Sequence, residues 1–285
     1  MRRTIFLSIF GVTALAATPA RAQSTDAPEE SPTIIVSGSA TLSSDYRFRG
    51  VSQTNKEMAV QGGFTLAHES GLYVGAWAAN LAGWGTFGGA NIELDLYTGY
   101  KAQLSDDIAL DAGLTWYMYP GGADNTDFAE PYVKFTGTTG PATLTAGAAY
   151  APKQQALGRW YLTGADAAAG IYNDPGDKED NLYLWSDAGL AIAGTPITAK
   201  AHVGHSWGND GLGPNATSVA PTGSYWDWSL GADANWRNLT LGVSYIDTNI
   251  SRARAAYLQP SFSKAQDGTG SIAGGTVVVS LTAVF

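Results

Sequence analysis

From Asn91 to Leu104 apolar and polar side chains alternate without a break. Ile92, Leu94, Leu96, Thr98, Tyr100, Ala102 and Leu104 fall on one face, and Glu93, Asp95, Tyr97, Gly99, Lys101 and Gln103 on the other. A period of two is the period of an extended chain, whose successive side chains point to opposite faces. The design recurs where Ile108, Leu110, Ala112, Leu114, Trp116 and Met118 oppose Ala109, Asp111, Gly113, Thr115, Tyr117 and Tyr119. It recurs again where Trp226, Trp228, Leu230, Ala232, Ala234 and Trp236 oppose Asp227, Ser229, Gly231, Asp233 and Asn235. Runs of this kind predict twelve strands, at about 34–48, 58–67, 72–82, 91–104, 108–119, 128–137, 142–151, 181–193, 197–207, 225–236, 239–247 and 275–285.

Twelve long two-faced strands are compatible with few architectures. After the first 22 residues no apolar stretch reaches the roughly 18 residues that a membrane-spanning helix needs. A membrane β-barrel leaves hydropathy equally flat, because its outward and inward residues alternate, and about 9 to 11 residues per tilted strand suffice to cross a bilayer. The connections alternate in length. His68–Gly71, Ser105–Asp107, Thr138–Pro141, Gly194–Pro196 and Arg237-Asn238 read as tight turns, whereas 152–180, 208–224 and 248–274 are long loops. The expected fold is therefore an all-β, antiparallel, up-and-down transmembrane barrel of about twelve strands, with short periplasmic turns and long external loops. A soluble β-sandwich or lipocalin-like barrel would bury the apolar faces instead, and would leave the length of the strands and the placement of the aromatics unexplained.

The ends of the chain fit the same reading. Arg2 and Arg3, the apolar run Ile5–Ala17 and the small-residue site Ala20-Arg21-Ala22 form a secretory signal, cleaved after Ala22. Residues 23–33 are then a short periplasmic segment and 34–285 the barrel. Without the signal, 13 Lys and Arg stand against 25 Asp and Glu, a formal charge of −12 that excludes nucleic acid as a partner. The absence of cysteine excludes thiol redox chemistry. The last strand, TVVVSLTAVF, carries apolar residues at alternate positions and stops on Phe285. Such a strand resembles the sorting signal read by the outer-membrane assembly machinery.

Aromatic residues cluster where interfacial belts belong. Tyr46, Phe48, Trp116, Tyr150, Trp207, Trp226, Trp228 and Tyr245 are expected in the outer belt, and Phe135, Trp236 and Phe285 in the periplasmic one. The segment SDYRFRGVSQT, Ser44 to Thr54, followed by glycine-rich aromatic strands, resembles the TorF family of outer-membrane porins. The resemblance implies a location in the bacterial outer membrane and a barrel architecture. It implies no catalytic residue.

Function is then sought in the lumen. Asp45, Glu93, Asp95, Asp111, Glu130, Asp187, Asp227 and Asp233 are expected to line it with Arg47, Arg49, Lys101, Lys134 and Lys200. So many charges cannot form a dry core unless nearly all are paired. The expectation is a narrow channel for passive diffusion of small hydrophilic solutes or ions, in contact with lipid and lipopolysaccharide outside. The alternative is a non-conducting structural or surface-interaction barrel plugged by its own salt bridges. Arg47 and Arg49 are expected to face Glu93, Asp95, Glu130 or Asp227 across the lumen. His202, His205, Ser206 and Asp210 offer the residue types of a hydrolase, but residues three apart on a strand point to opposite faces. No cofactor or metal is expected: the acidic loop 173–180 lacks calcium-motif spacing, and Gly62, Gly88, Gly121 and Gly274 open no helix after a parallel strand.

Overall fold

A computed structural model of the chain describes residues 33–82, 89–213, 223–255 and 271–285. The signal-like segment, residues 23–32 and Gly88 lie outside the described residues. In chain order the strands are β1 (Ile34–Ser43), β2 (Arg47–Phe48), β3 (Val51–Ser52), β4 (Ala59–His68), β5 (Leu72–Asn80), β6 (Ile92–Gln103) and β7 (Ile108–Met118). They continue as β8 (Phe128–Thr139), β9 (Ala142–Gln154), β10 (Glu179–Ala191), β11 (Ile197–Trp207), β12 (Tyr225–Trp236), β13 (Leu239–Thr248) and β14 (Thr276–Val284). Strands β2 and β3 pair only with each other, and the other twelve form a closed antiparallel barrel, each next to its neighbour in sequence. A 3-10 turn (Gln155–Leu157) and a short α-helix, α1 (Gly164–Ala169), lie in the loop after β9.

Closure is made by β1 and β14, in register from Ser39↔Val284 to Ser43↔Ser280. Gly38 and Phe285 extend it by exchanging backbone hydrogen bonds of 2.8 and 3.0 Å. No wall strand is left with an unpaired edge, the condition under which a sheet can sit where water cannot satisfy its amides.

The alternation read in the sequence becomes an inside and an outside. In β6, Glu93, Asp95 and Tyr97 are buried toward the interior while Ile92, Leu96 and Tyr100 are exposed. Leu72, Val74, Leu114, Leu144, Leu184, Leu230, Leu241 and Val279 are exposed in the same way on other strands. An apolar band this continuous is far larger than a water-soluble monomer presents. Trp116, Tyr150, Trp207, Trp226 and Tyr245 are exposed at the long-loop end, and Phe135, Trp236 and Phe285 at the short-turn end. Trp228 lies on the same outward face as Trp226 and Leu230 and is half-buried.

One strand differs from its expected bounds in a way that matters. The first was expected to run to residue 48 and ends at Ser43. Tyr46 and Phe48 therefore do not join the outer belt, which corrects their expected position: the chain leaves the wall before reaching them and both rings lie inside the barrel. The period-two pattern of Ser44–Phe48 reads the same for a strand that continues along the wall and for one that folds inward.

The folded barrel, solubilised in detergent without heating, is expected to migrate on a gel differently from the boiled chain, because closure resists detergent until every pairing is lost together. Mobility independent of heating, or release of the protein by osmotic shock, would contradict the architecture.

Candidate functional site

After Ser43, whose hydroxyl donates to the Asp45 carbonyl at 2.7 Å, the chain enters the mouth of the barrel as the β2–β3 hairpin. Asp45 ties its base, accepting from Arg47 Nε at 2.6 Å, Ser52 Oγ at 2.6 Å and Thr54 Oγ1 at 3.1 Å. Arg47 Nη1 donates to the carbonyls of Gly50, at 2.9 Å, and Gly274, at 3.1 Å. The two-residue tip, Arg49-Gly50, has φ of 47° and 79°, the left-handed conformation that tight hairpin turns require at both central positions. Gly50 meets the wall closely: a Cβ there would lie 2.5 Å from Thr248 Cγ2 and 2.9 Å from Asp227 Cβ. Arg49 has a Cβ, and holding it left-handed costs about 1–2 kcal/mol.

The tip is held from the far side of the ring. Arg49 Nη2 donates to both carboxylate oxygens of Glu130 at 2.7 Å, with 5% and 2% of the two side chains exposed. Its guanidinium lies 4.1 Å from the Tyr183 ring centroid and 4.8 Å from that of Phe48. Asn181, its amide oxygen turned to the arginine, accepts from Nη1 at 2.9 Å, and the Arg49 carbonyl accepts from the Tyr225 hydroxyl at 3.0 Å. Glu130 stands on β8, five strands round the ring from β1. The tip thus spans the barrel.

The rest of the hairpin packs the space around that span. Tyr46 donates to Glu93 Oε1 at 2.9 Å and sets its ring edge-on to Trp77. Phe48 meets Tyr117 edge-on, and Tyr117 stacks on Phe128. Leu157, Leu212, Ile250 and Ile272 of the long loops complete the same apolar cluster. Inward side chains at this level, including Asp95, Tyr117 and Tyr225, are buried, so the described residues fill the long-loop half of the interior.

Among the described residues the short-turn half is open. A cavity of about 410 Å³ extends from the underside of the hairpin to Pro141, Ala191 and Thr240. On one side, Lys101 and Lys134 converge on Asp111 Oδ2 at 3.7 and 3.5 Å, and Asp111 Oδ1 accepts from Tyr73 at 2.6 Å. The Tyr73 hydroxyl also bonds that of Tyr132. On another, Lys200 pairs with Asp233 at 2.7 Å, while His202 bridges Asp187 at 2.6 Å and Asp227 at 3.0 Å. Gly204 lets Tyr183 lie across the wall, since a Cβ there would fall 2.0 Å from its hydroxyl.

All thirteen charged side chains singled out in the sequence lie inside the barrel. Glu93 and Asp95 lie in the filled half; Asp45, Arg47, Arg49, Glu130 and Asp227 stand at the hairpin and border the inner end of the cavity; Lys101, Asp111, Lys134, Asp187, Lys200 and Asp233 line the rest of it. Arg49 meets Glu130 across the lumen as expected; Arg47 pairs instead with Asp45 on its own hairpin. His202 points inward, whereas His205 sits outside between Trp207 and Trp226, at centroid distances of 4.0 and 4.5 Å. With Asp210 bound to Arg159, these residues do not assemble a triad. Sequence reasoning missed Gly50, Ser52, Thr54, Asn181 and Tyr225. The available signal was Arg49-Gly50 itself, a turn dipeptide between Phe48 and Val51.

The Gcw_chp family model, described as a bacterial protein of unknown function, matches residues 26–285. No curated protein matches the chain. Among solved structures, the KdgM porin in complex with disordered oligogalacturonate is 8% identical, over 88% of this chain and 98% of that one, with a TM-score of 0.47. The COG4313 outer membrane channel from Pseudomonas putida F1 is 10% identical, over 92% and 100%, with a TM-score of 0.42. The outer membrane protein opdK from Pseudomonas aeruginosa is 13% identical, over 90% and 68%, with a TM-score of 0.41. These are distant similarities, and the strand pairing itself defines the fold.

Asp95 Oδ1 is buried without a hydrogen-bond partner among the described residues, and Glu93 stands two positions away on the same face. A buried carboxylate so placed costs about 1–3 kcal/mol. Asp95→Asn is expected to raise the temperature of heat-induced unfolding in detergent by several degrees, and an unchanged or lowered transition would show that the carboxylate is compensated.

Proposed function

The chain belongs to the Gcw_chp family of bacterial proteins, and on that premise we propose that it is an outer-membrane barrel of porin type whose passage is closed by its own hairpin. The observation that carries the closure is the buried Arg49–Glu130 contact across the lumen. The membrane assignment is supported by the exposed apolar wall and the aromatic residues at both rims of the closed barrel. The long-loop end is then the external face and the short-turn end the periplasmic one. The signal at 1–22 directs export and is removed after Ala22; lipid and lipopolysaccharide contact the wall; and Phe285 presents the closing strand to the assembly machinery.

Small hydrophilic solutes or ions would pass only when the hairpin leaves the outer half, by diffusion and without a chemical step. The resemblance of Ser44–Thr54 to TorF porins supports this reading, because those residues build the hairpin and its base. Burial of the ion pair favours a second reading, in which the hairpin never leaves and the barrel serves as a closed structural or surface-interaction element.

Planar-bilayer recording separates the two. Wild-type protein is expected to rest closed, with rare openings. Arg49→Asn suits the left-handed turn yet removes the cation, so it should lengthen openings while destabilising the barrel by about 3–5 kcal/mol through the stranded Glu130. Glu130→Gln should open the passage similarly. A wild-type channel conducting continuously at full size would sink the closure, and variants as silent as wild type would favour the permanently closed barrel.

A further inference from the structure

Glycines on neighbouring strands let aromatic rings lie along the inner wall. A Cβ at Gly75 would collide with Tyr97, one at Gly99 with Tyr73 and one at Gly147 with the indole of Trp185. Tyr97 and Tyr73 also use their hydroxyls, donating to the Phe64 carbonyl at 3.0 Å and to Asp111 Oδ1 at 2.6 Å. Trp185 differs from both. Its Nε1 has no hydrogen-bond partner among the described residues, and its ring contact there is with Tyr183, nearly parallel at 17° with centroids 5.6 Å apart. Tyr183 is covered in turn by the Arg49 guanidinium, whereas Trp185 is half-buried, with the face away from Gly147 turned to the cavity.

Asp187 follows two residues along β10, on the same inward face. Its Oδ1 binds His202 Nδ1 at 2.6 Å; its Oδ2 has no partner among the described residues, and 34% of the side chain is exposed. A flat apolar face beside a free carboxylate oxygen matches one side of a pyranose ring, whose axial C–H groups lie on the indole while an equatorial hydroxyl donates to the carboxylate. Charge narrows the choice. An anion placed here meets Asp187 itself and Asp227 beyond His202, and a cation meets Lys200, two positions from His202 on the same face of β11. The cavity of about 410 Å³ falls within the range of about 300–1,000 Å³ typical of small-ligand sites.

We propose that Trp185 and Asp187 form a binding site for a neutral pyranose sugar, stacked on the indole and hydrogen-bonded to the free carboxylate oxygen, below the hairpin tip. The sugar reaches it from the short-turn end. The site goes beyond the closure reading and does not depend on it, because the cavity is present with the hairpin in place.

Saturation-transfer NMR on the full chain in lauryldimethylamine oxide, a detergent without a sugar head group, tests the site. Methyl β-glucoside is the neutral pyranose, sorbitol the open-chain polyol, and glucuronate and glucosamine carry the two charges on the same ring. Methyl β-glucoside is expected to bind in preference to the other three, with saturation strongest at the axial ring protons of one face. Trp185→Leu should weaken it roughly tenfold through loss of the stacking face, and Asp187→Asn about fivefold through loss of a charge-assisted bond. Binding no stronger than that of sorbitol, a preference for either charged sugar, or equal binding by wild type and Trp185→Leu would overturn the proposal. Should Trp185→Leu lose its heat-dependent mobility, Asp187→Asn and the wild-type proton pattern decide: unchanged affinity, or saturation spread evenly over the ring, ends the proposal. The measurement needs no conduction, so a barrel that never opens can still bind, and one that opens can still fail this test.

Discussion

The pairing of β1 with β14 determines what every other residue of the wall does. A sheet left open between Ile34–Ser43 and Thr276–Val284 would present two unpaired edges, and its faces would not divide into an interior and an exterior. Once closed, each strand has neighbours on both sides, and its alternate residues are committed to opposite environments. Ile92, Leu96 and Tyr100 must then suit hydrocarbon, and Glu93 and Tyr97 must find partners inside.

The interior meets that demand in two ways. Around the hairpin, charges are withdrawn from solvent and, Asp95 apart, matched: Asp45 takes three donors, and Glu130 takes two bonds from one guanidinium nitrogen and a third from the Tyr117 hydroxyl at 3.3 Å. Around the cavity, Lys101, Asp187 and His202 keep part of their surface exposed and pair loosely or through shared partners. A twelve-stranded ring is too wide for its own side chains to fill along its whole length, so the filling of one half needs an inserted piece of chain.

The two halves are joined by polar contacts. Tyr183 underlies the Arg49 guanidinium and donates from its hydroxyl to Asp227, to which His202 also binds from the cavity side. Arg49 is thus held in its left-handed conformation by Glu130 and Asn181 on the wall and by a ring that is itself anchored at the cavity. Such strain persists only where surrounding contacts over-determine it. Loss of one partner is therefore felt at both ends of the network.

The period-two pattern of Asn91–Leu104 and its eleven counterparts determined the number of wall strands and which of their side chains face in, because alternation is a local property of an extended chain. The alternation of short turns with long loops determined the up-and-down order, and the inward placement of the thirteen charges goes with that alternation. Only the tertiary structure decided where the first strand stops. Ser44–Phe48 carries the same alternation on the wall or off it, and what draws Tyr46, Phe48 and Arg49 inside is Glu93, Trp77, Tyr117 and Glu130, which lie far along the chain. Those partners come within reach only when the ring has closed, and contacts between residues so distant in sequence leave no periodic trace in the residues that make them.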